Sequence, residues 1–235
     1  MLLIKFLNKN HLDDLIQGKI YMSPLSYFIK LEENSKERGQ GDRYEGCLHI
    51  DQTMNAKFLG NNVKVSNIEF KIDTDINYLT SCYYNVDRDR IKKEDDKYVF
   101  KFTNLEIKEF INWGDVAVII NKELFLKRIK RNLIDKGLCA KGKKVKYYNP
   151  QEPGIDILND FNNTDDNIDR LFWKDKYFEN QNEFRIITAE QSSQGKTGID
   201  IGDISDISEV FDSKTLLEEG FFLKLPKDYV VGIKK

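Results

Sequence analysis

The chain is poor in the residues that most metal and thiol chemistry uses. Its 235 residues include two histidines, His11 and His49, and three widely spaced cysteines, Cys47, Cys82 and Cys139. There is no C-x-x-C and no H-E-x-x-H, which excludes a zinc ribbon, a zinc finger and that class of metalloprotease. No metal is expected. The odd cysteine count in a long chain argues against a disulfide framework, and each cysteine reads as a small buried hydrophobe. No apolar run approaches the roughly 18 residues of a membrane span. The start, MLLIKFLNKNHLDD, has neither a basic n-region nor a signal-length apolar core. No membrane association is therefore expected, and the expected location is cytoplasmic. A P-loop, a dinucleotide-binding G-x-G-x-x-G and a G-x-S-x-G elbow are missing as well. Chemistry has to come from carboxylates, amides, hydroxyls and bases.

Charge is plentiful, and it is blocked. The net charge is −2. From Lys122 to Lys146 there are ten bases against two acids, and from Gln151 to Glu219 there are 17 acids against six bases. In the basic block Asn121 suits the cap of a helix running to about Asp135, with Gly137 ending it. Leu124, Phe125, Ile129, Leu133 and Ile134 form its apolar side, and Lys127, Arg128, Lys130 and Arg131 lie largely opposite. These four bases are a candidate partner-binding face, for nucleic acid or an acidic protein, or else a solvated face. The acidic block nearby favours the solvated face or an acidic partner, because it repels phosphates and can neutralise the basic helix within the molecule.

Strand-like segments dominate the rest. Leu2–Leu7, Lys19–Ser23, Tyr78–Tyr84, Asp115–Ile120, a segment from Lys141 to Tyr148, Glu183–Thr188 and Tyr229–Ile233 read as strands. His11–Gln17, Pro24 to about Glu33, Leu105–Asn112 and Asn167–Phe178 read as helices. No linker interrupts the chain. The expected fold is a single α+β domain over residues 1–235, with largely antiparallel β-sheets carrying several helices.

Two segments bring chemistry together. In GKIYMSPLSYFIK a strand delivers Tyr21 and Ser23 to its end, and a helix opens with Ser26, Tyr27 and Phe28 in its first turn. That combination of hydroxyls, an aromatic face and free backbone N–H groups suits a nucleotide or an amide ring. In YFENQNEFRIIT, Gln181 and Glu183 stand two apart at a strand entry and therefore project to one face. Arg185 shares that face and can pair with Glu183 or with a phosphate.

Gln181-x-Glu183 resembles the (E/Q)-x-E signature of ADP-ribosyltransferases, and the opening of the chain with GKIYMS resembles the DNA-targeting DarT toxins. Most of the chain is similar to a poorly characterised bacterial and phage family. The matching stretches are IYMSPLSYF, GDRYEG, LTSCYYN, GDVAVIIN, YFENQNEFRII (against a terminal E-x-E-[FY]-R-I strand motif) and DYVVGIKK. The resemblance implies an ADP-ribosyltransferase-like fold and NAD as cofactor. It makes Glu183 the catalytic glutamate and Gln181 the residue that selects a non-arginine acceptor. Lys5, Tyr21, Ser23, Tyr27 and Arg185 become cofactor-binding candidates, Lys5 standing where the family has His or Arg. The implied setting is a toxin, defence or counter-defence factor. The alternative is a non-enzymatic phage or mobile-element protein that binds and inhibits a bacterial defence complex or binds nucleic acid. A strand-mouth change such as Glu183→Gln is expected to alter stability by about 0.5 kcal/mol or less.

Overall fold

The computed structural model describes residues 1–35, 39–135, 139–163, 168–191, 197–224 and 230–232. It is a mixed α+β structure. Its main sheet holds eight strands: β1 (Leu2–Leu7), β2 (Lys19–Pro24), β3 (Tyr78–Val86), β4 (Val116–Asn121), β5 (Ala140–Lys144), β6 (Glu183–Gln191), β7 (Thr197–Asp200) and β8 (Ser208–Asp212). All its pairings are antiparallel, and the main path runs β5-β6-β3-β1-β4-β8.

Both faces of this sheet are covered, and the strand sequences show why. In β1, Leu3 packs into one core while Leu2, Ile4 and Phe6 pack into the other. In β4, Val118 and Ile120 serve the first core, Ala117 and Ile119 the second. Strands buried on both faces read as continuous apolar runs, which is what DVAVII is. The first face is covered by helix α4 (Lys122–Asp135) through Phe125, Ile129 and Leu133. Asn121 caps α4 as expected, its side-chain oxygen accepting the Leu124 N–H at 3.2 Å. Leu124 and Ile134, expected on the apolar side, are exposed. The second face is covered by α3 (Asn104–Phe110), α6 (Ser213–Glu219) and the strand Phe221–Lys224. α3 opens with a capping box between Thr103 and Glu106.

The main sheet forks at β3. One edge of β3 pairs with β6. On the other edge β1 pairs only with Tyr84–Val86, and β2 pairs only with Leu79 and Thr80. Ser81, Cys82 and Tyr83 therefore face a gap between two diverging strands. Gly18 sets the position of β2 on the far side of this gap. It has φ +84°, and a Cβ there would lie 1.9 Å from the Gly202 carbonyl oxygen. Gly18→Ala is expected to cost about 2–5 kcal/mol, from the left-handed backbone and the clash together. A urea titration checks this; a loss under about 1 kcal/mol would contradict it.

The helix expected over Asn167–Phe178 does not form. Asn167 lies outside the described residues. Asp169–Phe172 and Lys176–Gln181 are 3₁₀ turns, and Trp173–Asp175 between them is a short strand pairing in parallel with Lys146–Tyr148. The reason is tertiary. Extended backbone lets Trp173 Nε1 donate to Asp160 (2.8 Å) while Lys174 turns the opposite way, into a buried charge cluster. Asp175 then accepts the Tyr177 N–H and starts the next turn. The strand expected from Lys141 to Tyr148 breaks at Val145, whose N–H donates to the Glu183 carbonyl. Pro24 closes β2 instead of opening α2 (Leu25–Ser35). The ends of the strand expected over Tyr229–Ile233 lie outside the described residues. Three further elements carry weak sequence signals: the strand Asn61–Val65, helix α5 (Ile155–Asn162) and the β8–α6 unit. No helix among the described residues is long and apolar enough to cross a membrane.

Candidate functional site

The fork holds a cavity of about 520 Å³, within the usual range for small-molecule sites. Six of the candidate residues line it: Lys5, Tyr21, Ser23 and Tyr27 from the front of the chain, Gln181 and Glu183 from the back. Tyr27, Phe28 and Trp113 add aromatic wall. Arg185 is placed elsewhere. It is 1% exposed and sits behind Glu183, donating to Glu183 (2.8 Å), Glu45 (2.6 Å) and the Leu171 carbonyl (2.6 Å). Its guanidinium is committed to protein groups, so a phosphate contact is not its role in this structure.

Gln181 and Glu183 do stand side by side, but by a different backbone route. Gln181 ends a 3₁₀ turn, and Asn182 adopts the left-handed region with φ +38° before β6 begins. Asn is tolerated there, and its side chain is anchored to the Asn85 carbonyl (2.7 Å) and Asp87 (2.9 Å). Asn85 N–H returns a bond to the Asn182 carbonyl. The Glu183 N–H donates to the Tyr147 hydroxyl at 2.9 Å.

Glu183 is 4% exposed and belongs to a buried cluster of two carboxylates and two cations. Oε1 accepts from Arg185, and Oε2 accepts from Lys174 at 3.1 Å. Lys174 also donates to Gln181 Oε1 at 3.1 Å, and Glu45 lies 3.8 Å from it. The Gln181 amide donates to Glu109 (2.9 Å) and to the Gly39 carbonyl (2.8 Å). Burial pushes the Glu183 carboxyl up, but the Arg185 and Lys174 cations outweigh it and hold the group well below the usual carboxylate range. Burial likewise lowers Lys174, and the Glu183 and Glu45 charges more than offset that, raising it. Glu183 is thus a fixed anion. Lys174 and Glu45, both lining the cavity, were not legible as site residues: Lys174 meets Gln181 and Glu183 where a helix was expected, and Glu45 meets Arg185 from the far end of the chain.

The opposite wall is wetter. Tyr21, 49% exposed, donates its hydroxyl to Asp14 at 2.7 Å, and Lys19 pairs with the same carboxylate at 2.9 Å. These two bonds lower the Asp14 carboxyl, and the bond to Asp14 raises the Tyr21 phenol. Lys5 reaches across the gap to the Cys82 carbonyl at 2.8 Å and lies over the Tyr83 ring. Burial lowers its pKa, and the nearby Cys82 and Glu183 offset only part of this.

No protein-family model, curated protein or solved structure matches the chain. The site therefore has to be read from its own geometry. Among the described residues no group of three or more His, Cys, Asp or Glu side chains is placed to hold a metal ion. Cys47 is buried, Cys82 is half-buried in the cavity wall and Cys139 is exposed, so the reading of all three as buried hydrophobes holds only for the first.

The basic block is largely neutralised within the molecule. Arg128 pairs with Asp206 at 2.5 Å and Lys127 with Glu123 at 2.8 Å. Lys141 and Lys143 share Asp169, Lys144 takes Asp87, and Lys146 lies 3.7 Å from Asp160. Lys130 and Arg131 are exposed. A gel-shift titration at two salt concentrations is expected to give the same result for the wild type and for the variant with Lys127, Arg128, Lys130 and Arg131 changed to Gln. A binding slope that flattens by several units in the variant would make the helix a phosphate-contacting face.

Proposed function

We propose that the chain is an ADP-ribosyltransferase-like protein that takes NAD as substrate in the forked cavity and transfers ADP-ribose to a non-arginine acceptor. One observation carries the reading. Side chains picked out at opposite ends of the sequence, Lys5, Tyr21, Ser23 and Tyr27 with Gln181 and Glu183, line one cavity where the sheet divides. In the proposed reaction the bond between ribose C1′ and the nicotinamide nitrogen breaks, and its electron pair leaves with neutral nicotinamide. The ionised Glu183 carboxylate offsets the positive charge that develops on the sugar. The acceptor then forms the new bond at C1′ and loses its proton to solvent. Gln181 cannot act as a base, which is in keeping with an acceptor other than a guanidinium. The resemblance of the chain to phage and toxin families suggests a role in attack, defence or counter-defence.

A second reading, binding without transfer, is favoured by one observation: both Glu183 oxygens already accept from protein cations. Nicotinamide release from NAD by the purified protein separates the two. Release that depends on Glu183 supports transfer. NAD binding with no release supports the second reading, and no binding removes both.

A further inference from the structure

Three of the described lysines line the cavity, and their partners differ. Lys19 pairs with Asp14 at 2.9 Å, and Lys174 pairs with Glu183 at 3.1 Å. Lys5 has no carboxylate within ion-pair distance among the described residues. Its Nζ donates to the Cys82 carbonyl at 2.8 Å and lies 4.9 Å from the centre of the Tyr83 ring. The strand pairing puts it there. β1 pairs with β3 through Leu2, Leu3 and Ile4, and Lys5 is the first residue past that pairing, where the fork opens. A desolvated amine without a directly bonded counter-ion is pushed toward its neutral form, because burial penalises the charge. The three lysines divide accordingly. The bond to Asp14 raises Lys19. Burial lowers Lys174, but the Glu183 and Glu45 charges raise it overall. Burial lowers Lys5, and its neighbours Cys82 and Glu183 offset only part of this. Burial also pushes the Cys82 thiol up to about 12, so at neutral pH it supplies no negative charge.

We propose that Lys5 is a reactive amine that captures an aromatic aldehyde or ketone in the cavity as an imine. This goes beyond the NAD reading and does not rest on it. A neutral lysine is a nucleophile, and desolvation is one way a protein makes one. The nitrogen lone pair adds to the carbonyl carbon, a proton passes from nitrogen to oxygen, and the carbinolamine loses water to leave a C=N bond. Protonated from solvent, the imine keeps one N–H for the Cys82 carbonyl. Tyr27, Phe28 and Trp113 supply aromatic wall, which suits an aromatic body. Lys19 and Lys174 are already committed to carboxylates, so the carbonyl compound that fits is an uncharged one.

Benzaldehyde and cyanoborohydride, added to the folded chain at neutral pH without NAD, test this. The reductant delivers hydride to the imine and fixes it as a benzylamine, and peptide mass mapping locates the benzyl group. Each unit by which a lysine is lowered gives about tenfold more free amine. Lys5 is therefore expected to be labelled at least about tenfold faster than Lys19 in the same cavity and than the exposed Lys130. In urea, where the lysines titrate alike, the preference is expected to vanish. Labelling of Lys5 in the folded chain no faster than that of Lys19 or Lys130 overturns the inference. A preference that survives unfolding does so too, because it then comes from the local sequence and not from the cavity. Lys5→Arg keeps a donor for the Cys82 carbonyl but forms no imine here. Its benzyl incorporation per folded molecule is expected to fall to that of the remaining amines, and incorporation equal to the wild type would overturn the assignment to Lys5.

Discussion

Glu183→Gln is expected to lower nicotinamide release from NAD by on the order of 10²–10³. The substitution keeps the shape of the side chain but removes the fixed negative charge beside the developing oxocarbenium. Such preorganised charge accounts for much of a rate enhancement, because it is in place before the reaction and need not reorganise. The structure changes one expectation about this variant. As an exposed strand-mouth residue, Glu183 would be replaceable at about 0.5 kcal/mol or less. Instead it is 4% exposed and neutralises Arg185 and Lys174. Removing its charge leaves Arg185 and Lys174 short of one directly bonded carboxylate, at a cost of about 3 kcal/mol. The rate has to be normalised to folded protein, measured by near-UV circular dichroism on the same samples. Equal release per folded molecule from wild type and variant would remove Glu183 from the mechanism.

The largest stability effect is expected at Arg185. Arg185→Leu should cost about 3–5 kcal/mol, a large share of the roughly 5–15 kcal/mol that holds a typical domain together. The guanidinium bridges Glu183 and Glu45 and satisfies the Leu171 carbonyl, and Leu replaces none of these bonds. Two carboxylates would then share Lys174. Arg185→Leu/Glu45→Leu leaves Glu183 and Lys174 as a balanced pair and should regain much of the loss. Urea unfolding of the three proteins decides it. A single variant within about 1 kcal/mol of wild type would mean that the cluster is not what anchors β6.

The same cluster sets the pH dependence. The folded-state pKa of Glu183 lies below its unfolded value, near 4.3. Its contribution is therefore fully present above about pH 5 and is lost as pH falls through the carboxylate range toward the folded pKa. Lys174 has the opposite sign. Its folded pKa is raised, so its contribution is complete below the ordinary lysine value near 10.4 and is lost as pH rises past it. The urea midpoint is expected to be flat on this account between about pH 6 and 9 and to fall on both sides. In Arg185→Leu/Glu45→Leu the acid limb should be shallower, because Glu183 then has a single cation to hold it ionised.

The sequence alone determined the strands buried on both faces and the local signals. VAVII is apolar at five successive positions and LLIKFL at all but Lys5, which is enough to make both strands, and the first a buried one. Asn121 lies directly ahead of an amphipathic run, so the start of α4 was legible from capping alone. The charge blocks were legible too, and the structure pairs Arg128, Lys141, Lys143 and Lys146 of the basic block with Asp206, Asp169 and Asp160 of the acidic one. The pairing of Gln181 with Glu183 was foreseen from strand periodicity, although Asn182 in fact turns through a left-handed conformation to achieve it. Tertiary structure alone decided the rest. Lys174 fell within the helix expected over Asn167–Phe178 and carried no signal of its own, because Glu45 lies in the front of the chain and no local pattern encodes their meeting. The segment takes extended backbone, pairing with Lys146–Tyr148, and Lys174 is buried beside Glu183 and Gln181. Arg185 pointed as plausibly to a phosphate as to Glu183 until the fold put Glu45 and the Leu171 carbonyl behind it. The cavity itself exists only because β1 and β2 share one edge of β3 and leave Ser81–Tyr83 between them. Strand pairing of that kind is a property of three distant segments together, and none of them carries it singly.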